Sequence, residues 1–537
     1  MINTEYIKNY LISNKIIFPT NAHDNNMTGF QNYGPIGLKM KNNIVEQWRK
    51  IFFENNIFEI EAPAISTERV LSRSGHTKKF NDLGIIFLEN NTNKVINIER
   101  ADHFIEDKII ELGLGQEYVE TTDFILEFLE KYNLYEKDKV HVEIKPVSLM
   151  FKIEGLTEEL YLRPELAQTI FIEFKEFYDY NNKKLPFGLA QVGKSYRNEI
   201  SDKSFVRLRE FTQAEIEYFY NPFAENKFII PKEHRSNKCF ILSEQMQLEN
   251  LEEKEITLLN LVDYIKNPII LKYIYKLYLF SISIGLDMNK VRFRQHKSNE
   301  MAHYANDCWD LEANIFGKWL EISGLADRGD YDLKTHNKNN DFLVKKNDIG
   351  IKKYKLKPNV SEFKKLYSKD IVIEMIKQYK ATVVDSLDFI DISKYIIEEF
   401  YDYEYIVPNV IEPSLGIDRI FYTMICHNLK LREDGKRPYL TIPKNIQIWS
   451  FALSQLSNHD MLLSKLGEYS YLSEKYKIYF DMSGTSIGKR YTRSDELGIQ
   501  YTVTIDFDTL KDDTVTVRDS WNMSQIRCSI LDIDKYM

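Results

Sequence analysis

Charged residues of both signs, with Phe211 among them, recur at every second position along much of residues 195–219, SYRNEISDKSFVRLREFTQAEIEYF. We predict that AQVGKSYRNE (190–199) and RLREFTQAEIEYF (207–219) are two strands, so that every second side chain shares a face. One face then carries Arg197 and Glu199 from the first strand and, from the second, Arg207, Arg209, Phe211, Gln213, Glu215 and Glu217. The opposite face is the predicted core face, with Val192, Tyr196, Leu208, Ala214, Ile216 and Tyr218.

The residue types on the charged face suit a nucleotide. An arginine fork binds phosphate oxygens through paired hydrogen bonds, a glutamate can accept from an exocyclic amine, and an aromatic ring offers a stacking surface. The alternative is a solvated face held by cross-strand ion pairs, which needs no ligand. Phe211, in the middle of the charges, weakens that alternative.

Composition describes an ordinary globular protein. The chain has 537 residues, 43% hydrophobic and 28% charged, which is enough for two or more domains with large cores. A net charge of -9 disfavours an indiscriminate nucleic-acid binder, so any contact with a polyanion must come from local basic patches. The four cysteines lie far apart without a C-x-x-C pair, so we expect neither a zinc site nor a disulfide framework.

The apolar segments indicate a cytoplasmic protein without a membrane span. The N-terminal residues MINTEYIKNYLISNKIIFPT contain no long apolar stretch and no Arg-rich presequence character. The one long apolar run, PIILKYIYKLYLFSISIGL (268–286), is interrupted by Lys272 and Lys276. We therefore predict a buried core helix there.

The elements around the predicted hairpin are of both types. GLKMKNNIVEQWRKIFFENN (37–56) has the apolar stripe of a helix and runs into IFEIEAPAI, a short strand stopped by Pro63. Residues 83–160 are predicted to be an inserted subdomain, and 336–358 an exposed loop or hairpin. LREDGKRPYLTIP (431–443) is predicted to be a linker. Beyond it, IQIWSFAL, KIYFDM and QYTVTIDFD are predicted strands of a compact α/β domain.

Nine segments carry a family resemblance. SYRNEI…RLREFTQAEIEYF resembles motif 2 of the class II aminoacyl-tRNA synthetases, closely so for glycyl-tRNA synthetases; FEIEAPAI resembles motif 1 and PNVIEPSLGIDRIFYTMI (408–425) motif 3. YLRPELAQTIF, SGHTKKFND, RFRQHKSNEMAHYANDCWDLE and EISGLADRGDYDLKTH are similar to glycyl enzymes of the eukaryotic and archaeal type. GKRYTRSDELGIQYTVTIDFDT and VTVRDSWNMSQIR resemble the anticodon-binding domain of that family. The resemblance covers about residues 4–531.

The resemblance implies a fold and a domain organisation. The expected class is α/β (α+β), with a class II antiparallel-sheet catalytic domain over residues 1–438. Insertions are expected at about 83–160, 225–285 and 336–395. A compact α/β anticodon-binding domain is expected over 444–537.

The resemblance also implies ATP-dependent ligation of glycine to tRNA(Gly) through a glycyl-adenylate, with release of AMP and pyrophosphate. The implied catalytic residues are Arg197, on the α-phosphate and the attacking carboxylate, and Arg419, on the γ-phosphate or the far side of the adenine. Glu199 would receive the adenine amine and Phe211 would stack under the ring. The full implied ATP-binding set is Arg197, Asn198, Glu199, Arg207, Leu208, Phe211, Glu321, Ile322 and Arg419.

Glycine has an ammonium group, a carboxylate and no side chain, so its pocket needs anionic groups around the amine. The residues matching the family's glycine site are Glu165, Glu215, Glu412, Pro413 and Ser414. Carboxylates that share one cationic ligand repel one another in its absence, so we expect at least one raised pKa among them.

Further partners follow from the same resemblance. Lys489, Arg490 and Arg493 in the loop GKRYTRSDELG would contact tRNA phosphates. Mg²⁺ is expected with ATP, through phosphate oxygens and one or two carboxylates. A protein-bound zinc is not expected, because His296 and His303 lie seven apart, unlike a helical zinc pair at i, i+4. Motif 1 forms the dimer interface in this class, so a two-fold homodimer is expected.

Two alternatives remain open. The first is a catalytically dead paralogue that acts as a binding module; it is disfavoured because the charged site residues from Glu165 to Arg419 all stand. The second is a synthetase for threonine, proline, serine or histidine, against which the acids of RPE, AEIE and EPS argue. Asp418 replaces a glycine found in many relatives, which we do not interpret as inactivation.

Overall fold

A nine-stranded sheet forms the centre of the larger part of the chain. The computed structural model describes residues 2–18, 29–115, 118–155, 157–200, 205–301, 305–337, 341–347, 350–378 and 382–537. Neighbouring strands are antiparallel except for two parallel pairs, which confirms the predicted antiparallel-sheet class. Across the sheet the strands are Lys254–Thr257, Lys238–Leu242, Val291–Gln295, Asp307–Ile315, Lys318–Gly329, Asn409–Gly416, Glu210–Tyr220, Phe187–Tyr196 and Ile57–Glu59.

The predicted hairpin lies inside this sheet as strands Phe187–Tyr196 and Glu210–Tyr220. The first strand ends earlier than predicted, at Tyr196, and the second begins later, at Glu210. Arg197 and Arg207 therefore lie in the connection between the strands, of which residues 201–204 are outside the described residues. The predicted core face of the second strand is confirmed, because Ala214, Ile216 and Tyr218 are buried in the main hydrophobic core. The opposite face is also covered, because short helices Ala167–Phe171 and Phe174–Tyr180 pack over it.

Three helices cover the core face of the sheet. Helix Pro35–Phe52 begins with proline at its first turn and buries residues spaced four apart, Met40, Ile44, Trp48 and Phe52. It packs against helices Pro268–Ser283 and Ile417–Asn428. The apolar run is therefore a core helix, as predicted, and its two lysines pair with Glu54. In the described part of the chain, no helix is both long and apolar enough to cross a bilayer.

Residues 81–148 form a lobe with its own hydrophobic core. Its sheet has the strand order Val95–Arg100, Asn81–Glu89 and Val140–Ser148, and helices Ala101–Glu111 and Thr122–Lys131 pack on it. The segment 225–285 instead contributes two strands to the edge of the central sheet and the core helix. A further small sheet, Thr382–Val384, Ile351–Pro358 and Tyr395–Asp402, accompanies helices Val360–Leu366 and Lys369–Gln378.

Residues 451–537 form a separate α/β unit with a second core. The three predicted strands are present, and two more complete a sheet ordered Ile478–Asp481, Phe451–Gln455, Tyr501–Ile505, Thr514–Asp519 and Gln525–Ser529. Helices Asp460–Glu468, Ile487–Glu496 and Thr509–Asp512 accompany it. The segment expected to be a linker is instead a hairpin, Leu429–Leu431 with Pro438–Leu440, and Leu440, Ile442, Ile446 and Ile448 are buried in the main core.

Short elements complete the chain. The remaining helices are Thr4–Ser13, Glu68–Arg73, His76–Lys79, Glu244–Leu248 and Tyr331–His336. Strands Ile65–Thr67, Leu160–Leu162 and Phe151–Ile153 form a three-stranded sheet, and Ile17–Phe18 with Asn32–Tyr33 and Val344–Lys345 with Tyr405–Ile406 form two-stranded ones.

Candidate active site

A cavity of about 180 Å³ opens on the central sheet where the hairpin connection meets helix Ile417–Asn428. Eight of the nine residues predicted to bind the nucleotide line it: Arg197, Glu199, Arg207, Leu208, Phe211, Glu321, Ile322 and Arg419. They come from the hairpin connection, from strands Glu210–Tyr220 and Lys318–Gly329 and from helix Ile417–Asn428, so the fold brings together residues more than 200 positions apart. Asn198 does not line the cavity: its side chain is exposed, and its backbone N–H donates to the carbonyl of Leu149.

Arg197 is held between two aromatic rings. Its guanidinium carbon lies 5.3 Å from the ring centre of Phe80 and 5.3 Å from that of Phe211. Its Nε donates to the carbonyl oxygen of Pro164 at 3.2 Å. One edge of the guanidinium is thus fixed by the protein, which orients the fork toward the cavity.

Glu199 is a buried carboxylate with an unused acceptor. Its Oε2 has no hydrogen-bond partner among the described residues, although Arg207 Nε lies 3.7 Å away. Burial raises the pKa of Glu199, an effect that the nearby Arg207 and Arg197 oppose. A buried acceptor without a donor is costly, so this oxygen is suited to a ligand's amine.

Arg207 contacts a residue of the 81–148 lobe. Its Nη1 and Nη2 lie 3.0 Å from Nδ1 and Nε2 of His103, within hydrogen-bond distance. A neutral imidazole accepts at the ring nitrogen that carries no proton, so His103 can accept a hydrogen bond from the guanidinium. His103 belongs to helix Ala101–Glu111, so the inserted lobe reaches a residue of the cavity wall.

Arg419 and Glu321 face each other at the cavity wall. Arg419 Nε donates to the carbonyl of Val206 at 2.8 Å, and its Nη1 to the carbonyl of Glu321 at 3.0 Å. The Glu321 carboxylate is about half exposed and lies 3.5 Å from Arg419 Nη1. The neighbouring Ile322 buries its side chain in the main core, so only its backbone is available to the cavity.

A buried acidic pocket adjoins this cavity, and Ser414 belongs to both. Glu215 Oε1 accepts from Ser414 Oγ and from Gln213 Nε2, each at 2.7 Å. Its Oε2 accepts from the backbone N–H of Leu166 at 3.0 Å, immediately after Glu165. The predicted glycine-binding residues from three distant segments are thus brought into one pocket.

A single arginine connects the other two glutamates of the pocket. Arg328 Nη1 donates to Glu412 Oε2 at 2.6 Å, its Nε to Asp332 at 2.7 Å, and its Nη2 lies 3.9 Å from Glu165. Glu165 also accepts from Gln168 at 3.1 Å and lies 3.4 Å from His76 Nε2. Pro413, between Glu412 and Ser414 on the strand, is buried.

The pocket's acids have opposite pKa shifts. Burial, followed by the charges of Glu412 and Glu165, raises the pKa of Glu215 to about 8, against the hydrogen bond from Ser414. Burial also raises the pKa of Glu412, against Arg328. Burial alone would raise the pKa of Glu165, but His76 and Arg328 outweigh it and lower that pKa. The expectation of a raised pKa among the three acids is confirmed.

Several pocket residues escaped the sequence reasoning. Arg328 and His76 lie inside recognised segments, EISGLADRG and SGHTKKF, but nothing in those segments marks them as partners of acids far along the chain. Gln213 and Glu217 share the strand face of Glu215, and alternation alone placed them there. The sequence analysis gave these two residues no role, and it missed His76, His103, Gln168, Arg328 and Asp332 altogether.

Asp418 has a structural role. Its Oδ1 receives Lys41 Nζ at 2.6 Å and the Tyr33 hydroxyl at 2.6 Å, and its Oδ2 accepts from the backbone N–H of Thr212 at 2.5 Å. The buried Lys41–Asp418 pair thereby joins helix Pro35–Phe52 to helix Ile417–Asn428 at the cavity, which Asp418 lines.

The predicted tRNA-contacting segment differs from expectation. It is not a loop but helix Ile487–Glu496. Arg490 is fully buried and donates to the carbonyls of Gln455 and Ser483, so the prediction that it contacts phosphate is wrong. Arg493 is about one-third exposed and pairs with Asp481 at 2.5 Å, and Lys489 is exposed.

One further cluster of metal-type donors occurs in the described chain. His296, Cys308 and Asp310 have donor atoms within 4.8 Å of one another. His296 Nε2 and Asp310 Oδ2 are directly hydrogen-bonded at 2.7 Å, which already occupies both groups. His303, the other histidine considered, lies outside the described residues.

Comparison with known proteins extends these findings. Residues 150–229 match the family model "tRNA synthetase class II core domain (G, H, P, S and T)", and residues 463–537 match "Anticodon binding domain". The chain is 33% identical to the glycine--tRNA ligase of Methanothermobacter thermautotrophicus, over 99% of this chain and 98% of that protein. The chain belongs to the glycine--tRNA ligase family.

Other members of the glycine--tRNA ligase family give the same result. The proteins of Methanocaldococcus jannaschii and Archaeoglobus fulgidus are each 34% identical, over 95% and 94% of this chain and 94% and 91% of theirs. The crystal structure of prolyl-tRNA synthetase from Cryptosporidium parvum, complexed with L-proline and AMP, aligns with a TM-score of 0.54 over 99% of this chain and 76% of that chain. At 10% identity, that likeness concerns the fold alone.

Proposed function

We propose that this protein attaches glycine to tRNA(Gly) in two steps at one site. A glycine carboxylate oxygen attacks the α-phosphorus of ATP, the bond to the departing pyrophosphate breaks, and glycyl-adenylate remains. A hydroxyl of the terminal tRNA ribose then attacks the carbonyl carbon, and AMP leaves. The observation that carries the proposal is a buried pocket of three glutamates that shares Ser414 with a cavity walled by arginines.

The cavity residues provide a nucleotide site. The unpartnered Glu199 Oε2 is assigned to the adenine amine and the Phe211 ring to the adenine face. Arg207 is assigned to the outer phosphates and Arg419 to the γ-phosphate or the far side of the adenine. The backbones of Leu208 and Ile322 complete the wall. Asn198 is assigned to the nucleotide site only because it precedes Glu199 in the chain, since its side chain is exposed and does not line the cavity.

Arg197 is the catalytic residue that gains most in the transition state. Its guanidinium is assigned to the α-phosphate and the attacking carboxylate, where negative charge shifts during the reaction. Because Pro164 and two aromatic rings already fix the group, little reorganisation accompanies the step. The protein forms no covalent bond to the substrates in this reaction, so positioning and preorganised positive charge provide most of the rate acceleration.

The acidic pocket is assigned to glycine. Glu165, Glu215 and Glu412 surround its ammonium, with Ser414 and Pro413 on the strand that separates the pocket from the cavity. Three acids around one cation favour an amino acid presented by its ammonium. The absence of a glycine side chain leaves no need for an apolar specificity pocket, which a proline or threonine enzyme would require.

Mg²⁺ accompanies ATP in this proposal. Glu321 is an exposed carboxylate on the cavity wall beside Arg419, and hard oxygen donors of this kind suit Mg²⁺. A bound Mg²⁺ would neutralise phosphate charge there. A protein-bound zinc is not part of the proposal.

The remaining parts concern assembly. The 444–537 region is assigned to the tRNA anticodon, with Lys489 and the partly exposed Arg493 as phosphate contacts. A homodimer through motif 1 is supported by Leu38 and Ile65, two exposed apolar residues on its helix and following strand. The cytoplasm is the proposed location.

The test is amino-acid-dependent exchange of pyrophosphate into ATP, followed by charging of tRNA(Gly). We expect exchange with glycine, and none above background with alanine, serine, threonine, proline or histidine. Exchange driven by another amino acid would move the specificity, and no exchange with any would support the binding-module alternative. Light scattering of the eluting protein measures the assembly, with a mass near twice the monomer's expected.

A further inference from the structure

A fourth carboxyl group borders the proposed glycine pocket, and no role described so far uses it. Glu217 lies two residues beyond Glu215 on the same strand, and it is fully buried. Neither of its oxygens has a hydrogen-bond partner among the described residues. One oxygen each from Glu217, Glu215 and Glu412 lie within 4.8 Å of one another.

Packing does not account for a glutamate at this position. Leu189 is its cross-strand partner and Phe219 follows on the same face, and both belong to an apolar cluster with Phe171. A leucine would fill such a place without desolvating a carboxyl group. The reason for a carboxyl group at this position therefore lies in its acidic neighbours, Glu215 and Glu412.

The surroundings favour the neutral, proton-carrying form of Glu217. Burial and then Glu412 raise its pKa well above the usual range, and Arg328 opposes them. A neutral carboxyl group has an O–H donor, which a carboxylate lacks. The charged or titratable groups that face it, from four elements, are Glu215, Glu412, Arg328 and Asp332.

The two neighbouring carboxyl groups, of Glu215 and Glu412, differ in how many further hydrogen bonds their oxygens can accept. Glu215 already receives three donors, from Leu166, Ser414 and Gln213. Glu412 is held by Arg328 through Oε2. A second donor to Glu412 would fix its rotation, and an oxygen of Glu217 lies within 4.8 Å of a Glu412 oxygen.

We propose that Glu217 is a positioning residue of the glycine pocket, whose protonated carboxyl group donates a hydrogen bond to Glu412 and, together with Arg328, holds it toward the substrate ammonium. Glu217 itself does not contact the substrate. This inference rests on the proposed function, in which Glu412 and Glu215 bind that ammonium.

The test compares Glu217→Gln with Glu217→Leu in the full-length protein. Glutamine keeps the shape and an N–H donor without a charge, whereas leucine has a similar volume and no donor. We expect Glu217→Leu to raise the glycine KM about tenfold or more, with the ATP KM within about twofold and an unfolding temperature at or above wild type. Glu217→Gln should keep the glycine KM within about threefold and the wild-type pH profile. Glu210→Leu, on the same strand but paired with Lys194 near the surface, is the matched control.

Three results would overturn the role. The first is a glycine KM in Glu217→Leu equal to that of wild type. The second is equal impairment of both variants, which would mean that an ionised group is needed. The third is an equal rise in the glycine and ATP KM values. Wild-type exchange in the same assay separates the two proposals. Glycine-dependent wild-type exchange with an unaffected Leu variant removes Glu217 alone, whereas no wild-type exchange with glycine removes both.

Discussion

At the scale of single residues, the chemistry of the pocket depends on several buried acidic groups whose negative charges repel one another. Glu215 is surrounded by other acids, and its pKa of about 8 means that it carries a proton at neutral pH in the ligand-free protein. An ammonium ligand favours the ionised form, so binding and deprotonation of Glu215 are linked. Arg328, the buried cation of the cluster, keeps Glu412 and Asp332 compatible with such a site.

Glu215→Gln tests this linkage. Glutamine keeps most of the hydrogen bonds but cannot pair with the ammonium, and a charge-assisted hydrogen bond contributes about 1.5–3 kcal/mol. We expect the glycine KM to rise about 10- to 100-fold, with the ATP KM within about twofold, in pyrophosphate-exchange kinetics. An unchanged glycine KM would assign the ammonium to Glu165 and Glu412 alone, and equal weakening of both substrates would indicate damage to the hairpin.

The same residue sets a pH dependence with a defined sign. Because its folded pKa is raised from 4.5 to about 8, the stability that neutral Glu215 contributes is complete below pH 4.5 and is lost as pH rises through 8. Glycine offsets that loss, so its thermal stabilisation of the protein should grow from pH 6 to pH 8. In Glu215→Gln this growth should disappear, and a wild-type shift that shrinks with pH would contradict the assignment.

Sequence reasoning reached most of these residues but not their partners. Alternation placed Arg197, Glu199 and Phe211 on one face because a strand's geometry is local. The partners are set by sheet order, which brings Arg328 beside Glu412 and His103 beside Arg207. Arg490 failed for the same reason: its charge suggested exposure, whereas packing of its helix buries it against carbonyls.

At the scale of elements, the 81–148 lobe matters through its contact with the motif 2 connection. Helix Ala101–Glu111 begins directly after strand Val95–Arg100 and places His103 against Arg207. This contact restricts a long side chain that would otherwise sample many rotamers. The lobe thus preorganises a predicted phosphate ligand, although the sequence indicated only that an insertion is present.

His103→Ala tests this preorganisation. Ordering one rotamer-rich side chain costs about 0.5–1.5 kcal/mol, so we expect the ATP KM to rise about 2- to 10-fold. The glycine KM should not change, because His103 contacts Arg207, which is assigned to ATP. His103→Gln, which retains a hydrogen-bond acceptor, should restore much of the loss. Lys108→Ala on the same helix is the control, and an ATP KM equal to wild type in His103→Ala would show that the contact between His103 and Arg207 is incidental.

At the scale of the whole molecule, two cores meet across residues 429–449. The main core takes Ile446 and Ile448, whereas Phe451 already belongs to the second core. Arg432 of the connecting hairpin pairs with Asp495 at 2.8 Å, and Arg518 of the C-terminal sheet shares that carboxylate. The C-terminal unit has its own main apolar core, and it is docked through these polar contacts and through a small apolar cluster in which Ile36 and Trp449 pack against Ala452, Leu497 and Ile499.

This arrangement predicts where the molecule can be divided. A chain ending at Trp449 keeps Ile446 and Ile448, and removal of Asp495 leaves Arg432 in solvent instead of buried without a partner. It should therefore fold and catalyse glycine-dependent pyrophosphate exchange at near the full-length rate. It should charge tRNA poorly, because the phosphate contacts proposed for helix Ile487–Glu496 are removed.

A chain ending at Pro443 is the matched control. It also removes Ile446 and Ile448, and truncation of a buried isoleucine costs about 2–5 kcal/mol. We expect it to unfold at a clearly lower temperature than the Trp449 chain, since both side chains leave the core that supports the motif 1 helix. Exchange activity lost in a folded Trp449 chain would mean that the C-terminal unit takes part in glycine activation, against the division of labour proposed here. Equal unfolding temperatures of the two truncated chains would show that the boundary between the cores lies elsewhere.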